Sequence, residues 1–226
     1  KQVETVQGPI DPDSLGVTAI HEHVMVDFVG ADRVSPSRYN ADAVFREALP
    51  KLRELKARGC AALVECTPAY LGRDPRLLKQ LSQASGVHIV TNTGYYGAAN
   101  DKFIPKLAWS ETAEQIAQRW IREARHGIDD TGIRPGFMKI GVDSGPLSDI
   151  DAKLIRAAAI CHEATGLRLH VHTGNGIAAM AIIDLLTKLD VPPSAYVWVH
   201  AQSEKNRKLH VEAAQGGGWV EVDGIN

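Results

Sequence analysis

The chain has 226 residues, of which 44% are hydrophobic and 23% charged, and this length and composition suit a single soluble globular domain. Its 25 basic and 27 acidic side chains nearly cancel to a net charge of −2, which argues against a nucleic-acid partner and against an anionic membrane surface. Three widely spaced cysteines without a C-x-x-C pair favour a reducing, cytoplasmic compartment over a disulfide framework.

Short β-branched or apolar runs alternate with longer helical patterns, which is typical of a parallel sheet wrapped by helices. The leading residues 1–16 are expected to form a small cap on the closed end of the fold. Strands are predicted at Thr18–Val24, Ala62–Thr67, His88–Thr93, Phe137–Val142, Leu167–His172, Tyr196–His200 and Trp219–Val222. Helices are predicted at Ala41–Arg58, Asp74–Ser85, Glu111–His126, Asp149–Thr165, Gly176–Lys188 and Glu204–Gln215.

This alternation predicts one α/β domain over residues 1–226 with a TIM (β/α)8-type barrel that lacks the eighth strand and its helix. Ser148 and Asp151 have the spacing of a capping box that opens the fourth helix. The longest apolar stretch, Ile177–Leu186, is far shorter than the ~20 residues that a membrane span needs.

His21 and His23 stand two residues apart at the end of the first predicted strand. The two-residue period of a strand directs both imidazoles to one face, and the end of a barrel strand directs them into the catalytic mouth. Two neutral imidazoles there would form half of a site for a divalent metal. A His-x-His pair is a weak signal by itself, so structural or chance histidines stay open at this point.

The later strands carry further candidates at the corresponding ends. His172 closes the fifth strand, His200 closes the sixth, and Lys139 lies within the otherwise apolar fourth strand. A lysine that faces a barrel interior is costly unless it is deprotonated, paired or chemically modified. We therefore predict that the four histidines and the lysine form one functional site. His170 is expected to pack deeper in the interior.

Several stretches of the chain resemble the phosphotriesterase family of the amidohydrolase superfamily, most nearly its phosphotriesterase-like lactonases and phosphotriesterase homology proteins. The order and spacing of these stretches match over almost the whole chain. They are Thr5–Ile10, Gly16–His23, Thr93–Tyr96, Lys139–Gly141, His172–Gly174 and Trp198–His200.

The resemblance implies a hydrolase with a binuclear metal centre. His21 and His23 would bind the more buried metal, and His172 and His200 the more exposed one. Lys139, carbamylated by carbon dioxide, would bridge both. Zinc is the expected metal, with manganese, cobalt or iron as alternatives. A metal-bridging hydroxide would attack a lactone or ester carbonyl, with promiscuous hydrolysis of organophosphate triesters.

The alternatives are a phosphotriesterase or another amidohydrolase that cleaves esters or amides, and an inactive barrel fragment or binding module.

The family also carries an aspartate ligand at the end of the eighth strand, and nothing in this sequence matches it. Asp223 follows the seventh strand and resembles the family's pattern there instead. An open barrel edge would allow a homodimer, for which the sequence holds no specific signal.

Tyr96 stands at the mouth of the third strand, where the resemblance places an aromatic residue beside the substrate. A tyrosine hydroxyl there could donate to a lactone oxygen, whereas an indole would offer mainly an apolar wall. This favours a small-molecule lactone or carboxylic ester as the substrate over an organophosphate. Packing alone is the open alternative for Tyr96.

Overall fold

The computed structural model describes residues 2–224, which begin with a small antiparallel hairpin. β1 (Val3–Thr5) pairs with β2 (Gly8–Ile10). Between them, Val6 is buried, and its N–H donates to the carbonyl oxygen of Ile89 at 2.9 Å. The hairpin is therefore tied to the start of the third barrel strand.

Within residues 2–224, seven parallel strands follow one another in chain order, as they do in a TIM-type barrel. They are β3 (Val17–Glu22), β4 (Cys60–Glu65), β5 and β6 (His88–Val90 and Asn92–Thr93), β7 (Phe137–Val142), β8 (Leu169–Thr173), β9 (Tyr196–Val199) and β10 (Trp219–Val220). β5 and β6 count as one strand because only Thr91 separates them. The predicted fold class is confirmed, and the described residues show no pairing between the outer strands β3 and β10.

Helices follow the strands and cover the outside of the sheet. They are α1 (Ala41–Ala57), α2 (Pro75–Ser85), α3 (Lys106–Ser110), α4 (Ala113–His126), α5 (Asp149–Thr165), α6 (Gly176–Lys188) and α7 (Arg207–Gln215). The helix predicted from Glu111 begins two residues later, because Thr112 and Gln115 form a capping box that starts α4 at Ala113. Across the described part of the chain, no helix combines the length and the apolar character that a membrane crossing needs.

Strand β7 separates the helix-covered core from the barrel interior. Met138, Ile140 and Val142 belong to the large hydrophobic cluster that includes side chains of α4, α5 and α6. The alternate residues face the other way, because successive side chains of a strand point to opposite faces. Lys139 pairs in register with His170, so both residues share the inner face of the sheet.

The end of β6 and the middle of β7 approach each other unusually closely at Gly94. A Cβ atom on Gly94 would lie 2.1 Å from the carbonyl oxygen of Lys139, and the residue has φ +127°, which favours glycine. The Lys139 backbone can therefore approach this closely only because residue 94 is a glycine and has no Cβ atom.

We expect Gly94→Ala to lower the free energy of unfolding by about 3 kcal/mol or more, because overpacking is added to backbone strain. Gly145→Ala is the matched control: Gly145 has φ +103° with open space where a Cβ would lie, so its cost is about 1 kcal/mol of strain. Urea unfolding followed by circular dichroism measures both values. Equal losses for the two variants would contradict the steric argument.

Candidate metal centre

The four predicted histidine ligands meet at the carboxyl end of the barrel strands. The ring centroids of His21 and His23 are 5.3 Å apart, and those of His21 and His200 are 4.6 Å apart. His172 lies 4.7 Å from His200 by the same measure. Side chains from three separate parts of the chain thus form one continuous group of imidazoles.

Lys139 is buried near these histidines and interacts with them electrostatically. The residue is 1% exposed, and its Nζ has no hydrogen-bond partner among the described residues. Burial lowers the pKa of Lys139, while the Cys66 thiol and the carboxylates of Glu221 and Asp223 act in the opposite direction. The net lowering brings the amine closer to its neutral, nucleophilic form.

His21, His23 and His172 are held neutral at pH 7. Burial lowers the pKa of His21 and His172 to about 3, and nearby positive charges, including Lys139, add to the effect. The pKa of His23 falls to about 4 for the same reasons. Each of these imidazoles therefore offers a nitrogen lone pair, which is the form that binds divalent metals.

Two carboxylates that the sequence interpretation did not place in the site also reach the histidines. Glu221 Oε1 lies 2.9 Å from His21 Nδ1. Asp223 Oδ2 lies 2.6 Å from His200 Nδ1 and 3.2 Å from His21 Nδ1. The two acids follow β10 with the same two-residue spacing as the His21–His23 pair, and that spacing is the signal that could have found them.

The donor set fits a metal ion. One ligand atom each from His21, His200 and Asp223 lies within 4.8 Å of the others. His21 Nε2 and Lys139 Nζ are buried and lack a hydrogen-bond partner among the described residues. Such atoms cost about 1–3 kcal/mol each when nothing satisfies them, and imidazole and carboxylate are ligands that zinc, manganese and cobalt accept.

The deeper histidine, His170, has its ring centroid 4.6 Å from that of Phe137. Burial lowers its pKa to about 3. Its Nδ1 lies 3.8 Å from Glu221 Oε2, too far for a hydrogen bond. His170 contacts Phe137 and precedes His172 by two residues on β8, so it lies nearer the amino end of the strand than the group of four.

Tyr96 lies beside the histidine group. Its ring centroid is 5.2 Å from that of His172, and the ring covers Gly141, where a Cβ atom would approach it to 2.6 Å. Burial raises the pKa of Tyr96, so its hydroxyl stays protonated at neutral pH. The neighbouring Tyr95 turns away and packs edge-on against Trp120 at 5.3 Å.

The chain thus combines a parallel α/β barrel with a histidine-rich candidate metal centre at the carboxyl ends of the strands. The whole chain, residues 1–226, matches the phosphotriesterase family. The chain belongs to this family, whose members are hydrolases. The resemblance found in the sequence is thereby confirmed.

Individual relatives support the same family. The chain is 27% identical over 214 residues to the phosphotriesterase homology protein of Escherichia coli, covering 94% of this chain and 71% of that protein. It is 31% identical over 252 residues to the N-acetyltaurine hydrolase of Rattus norvegicus, covering 98% and 71%. The solved organophosphorus hydrolase of Deinococcus radiodurans is 28% identical with a TM-score of 0.86, covering 97% of this chain and 67% of that one. The chain spans 56–71% of the length of the curated relatives that it matches.

We expect Lys139→Met to raise the free energy of unfolding of the metal-free protein by about 1–2 kcal/mol at pH 7, because it removes a buried amine without a partner. The gain should shrink as the pH rises past the unfolded-state pKa of about 10.4, because above it lysine is neutral in both states. Urea unfolding in the presence of a chelator measures it.

Lys153→Met is the matched control for this substitution. The Lys153 amine donates to three backbone carbonyl groups, at distances of 3.0 to 3.1 Å. We therefore expect the control variant to be less stable than the wild type. A loss of stability of similar size in Lys139→Met would mean that its amine is paired after all.

Proposed function

We propose that this protein is a binuclear metal-dependent hydrolase that cleaves lactones or other carboxylic esters, with organophosphate triesters as secondary substrates. The observation that carries the proposal is the grouping of four histidines at one end of the barrel, together with a buried lysine amine that lacks a partner and lowers the pKa of three of them. In the proposed assignment, His21 and His23 hold the more buried ion, and His172 and His200 hold the more exposed one.

Lys139 would bridge the two ions as a carbamate. Its neutral amine attacks carbon dioxide, a C–N bond forms, and one proton is released, so a repelling cation becomes an anionic ligand with two oxygens. The lowered pKa of Lys139 supports this step, because only the neutral amine reacts. Among the described residues, no hydrogen bond competes for the nitrogen.

A pair of divalent ions held here would supply an activated water and an electrophile for the carbonyl or phosphoryl oxygen. Asp223 is the proposed proton acceptor at Oδ2, between His21 and His200. Burial raises the pKa of Asp223, but its contacts with His200 and Gln202 outweigh that effect, and the net pKa lies below the ordinary value. The carboxylate is therefore ionised and able to accept a proton at neutral pH.

Tyr96 would orient the substrate. Its protonated hydroxyl can donate to the ring or carbonyl oxygen of a lactone, and its place beside His172 supports this role.

The three cysteines are buried and unpaired, which supports the proposed cytoplasmic location. A homodimer stays a prediction.

Amide hydrolysis is the second candidate, favoured by the relatives named N-acetyltaurine hydrolase. The same metal centre would serve either reaction, so a panel of a lactone, a carboxylic ester, an N-acyl amide and an aryl dialkyl phosphate separates them. A protein that holds at most one weakly bound ion and turns over none of the four would be the inactive barrel or binding module instead.

We expect the protein to bind about two divalent ions per chain. Zinc, manganese or cobalt together with bicarbonate should restore the activity of the metal-free protein. Elemental analysis measures the metal content, and ¹³C NMR after loading with labelled carbon dioxide detects the carbamate carbon. A normal metal content without any carbamate signal would contradict the role proposed for Lys139.

Lys139→Ala should lower ester hydrolysis by about 100-fold or more and abolish the carbamate signal. His88→Ala is the control, because His88 begins β5 at the opposite end of the barrel and should leave metal content unchanged.

Tyr96→Phe should lower kcat/KM for an aliphatic γ-lactone by about tenfold, the value of one lost hydrogen bond, and leave an aryl dialkyl phosphate nearly unaffected. Tyr95→Phe, which changes the tyrosine that faces Trp120, should affect neither substrate. Steady-state kinetics with both substrates measures the ratio. An equal loss for the two substrates would show that Tyr96 acts through packing alone.

A further inference from the structure

A series of buried, hydrogen-bonded polar groups extends from His23 into the region between β3 and β4. His23 Nδ1 lies 2.9 Å from Thr67 Oγ1, and Thr67 Oγ1 lies 2.6 Å from Glu65 Oε1. Thr67 and Glu65 are each 1% exposed. Neither residue figures in the sequence analysis as part of the site.

The protons available in this series of hydrogen bonds indicate which ring nitrogen of His23 is protonated. The Thr67 hydroxyl has a single proton, and two acceptors surround it, the Glu65 carboxylate and the carbonyl oxygen of Met25 at 3.0 Å. Glu65 also accepts from the backbone N–H groups of Val24 at 3.3 Å and Thr67 at 3.2 Å. Since the hydroxyl proton is taken by an acceptor, the hydrogen bond between Thr67 and His23 needs its proton from His23.

A neutral imidazole carries one proton, so a proton on Nδ1 leaves the lone pair on Nε2. We propose that Thr67, backed by Glu65, is a positioning residue that selects the Nδ1–H tautomer of His23 and thereby presents Nε2 to the metal centre. This inference rests on the proposed function for the identity of the ion, but the tautomer itself is a property of the metal-free protein.

The backbone around Thr67 is braced from the next strand. The side-chain amide of Asn92, which is fully buried, donates to the carbonyl oxygens of Glu65 and Thr67 at 2.9 and 3.0 Å. The hydroxyl is therefore held in place by residues of β4 and β6, independently of any ligand. Such support is what a group that orients a metal-binding histidine requires.

His21 has the same arrangement with a different partner. Its Nδ1 lies 2.9 Å from Glu221 Oε1, while its Nε2 is buried without a hydrogen-bond partner among the described residues. Both histidines of the pair thus engage Nδ1 with an acceptor. Glu221 also interacts electrostatically with Lys139, so a substitution there would affect two predicted ligands. The Thr67 hydroxyl contacts only His23 among the predicted ligands, so substitution of Thr67 tests the role of one histidine.

The first test reads the tautomer by long-range ¹H–¹⁵N NMR on the metal-free protein at pH 8. Glu65 is ionised there, since burial raises its pKa only to about 7. We expect His23 to carry its proton on Nδ1 in the wild type and in Thr67→Ser, and to lose this preference in Thr67→Val. A wild-type His23 that is protonated on Nε2 would overturn the proposal without any variant.

The second test measures zinc affinity by competition with a chromophoric chelator. Thr67→Val should bind the ion assigned to His21 and His23 about 10- to 100-fold less tightly, and Thr67→Ser within about threefold of the wild type. Thr91→Val is the matched control, because Thr91 is a fully buried threonine whose hydroxyl has no hydrogen-bond partner among the described residues, and it should leave affinity unchanged.

The two measurements separate the two claims. Wild-type affinity in a folded Thr67→Val would overturn the positioning role of Thr67. A wild type that binds no zinc would sink the proposed function, and the NMR result would then decide the tautomer assignment by itself. Thermal unfolding of each variant verifies that it is folded.

Discussion

The buried amine of Lys139 is the constraint on which the site depends. An amine inside a barrel loses its hydration, and nothing in the described part of the chain replaces it with a hydrogen bond. Its charge also disfavours protonation of the histidines around it, including His21 and His172. Burial thus lowers the pKa of the amine and of the imidazoles together, and so favours the neutral forms that the proposed carbamate and metal ligation require.

The elements that sequence predicts best are those whose ends are set locally. The bounds of α5 agree at both ends because Ser148 and Asp151 form its capping box and Gly166 ends it in a left-handed conformation. The third barrel strand is interrupted at Thr91, and β10 is shorter than predicted. Strand pairing depends on neighbours that are distant in sequence, so periodicity alone cannot fix these bounds.

The grouping of the candidate site's histidines follows from their positions at strand ends, whereas residues that join the group only through tertiary contacts leave no comparable sequence pattern. Histidines and a lysine at corresponding strand ends stand out in any α/β pattern. Glu65 and Thr67 do not, because their importance lies in a hydrogen bond across 44 residues to His23 and in the proton count that follows. Asp223 follows the seventh strand, where the resemblance does not place the missing aspartate ligand, and its distances to His200 and His21 bring it into the candidate site.

Gly141 and Tyr96 form a single structural unit, since the tyrosine ring occupies the space that any larger residue at 141 would need. Substitution at either position therefore constrains the other: a bulkier residue at 141 would evict the aromatic ring from the wall beside His172. The side chains that can occupy position 96 in this conformation are therefore those that pack directly on the backbone of Gly141.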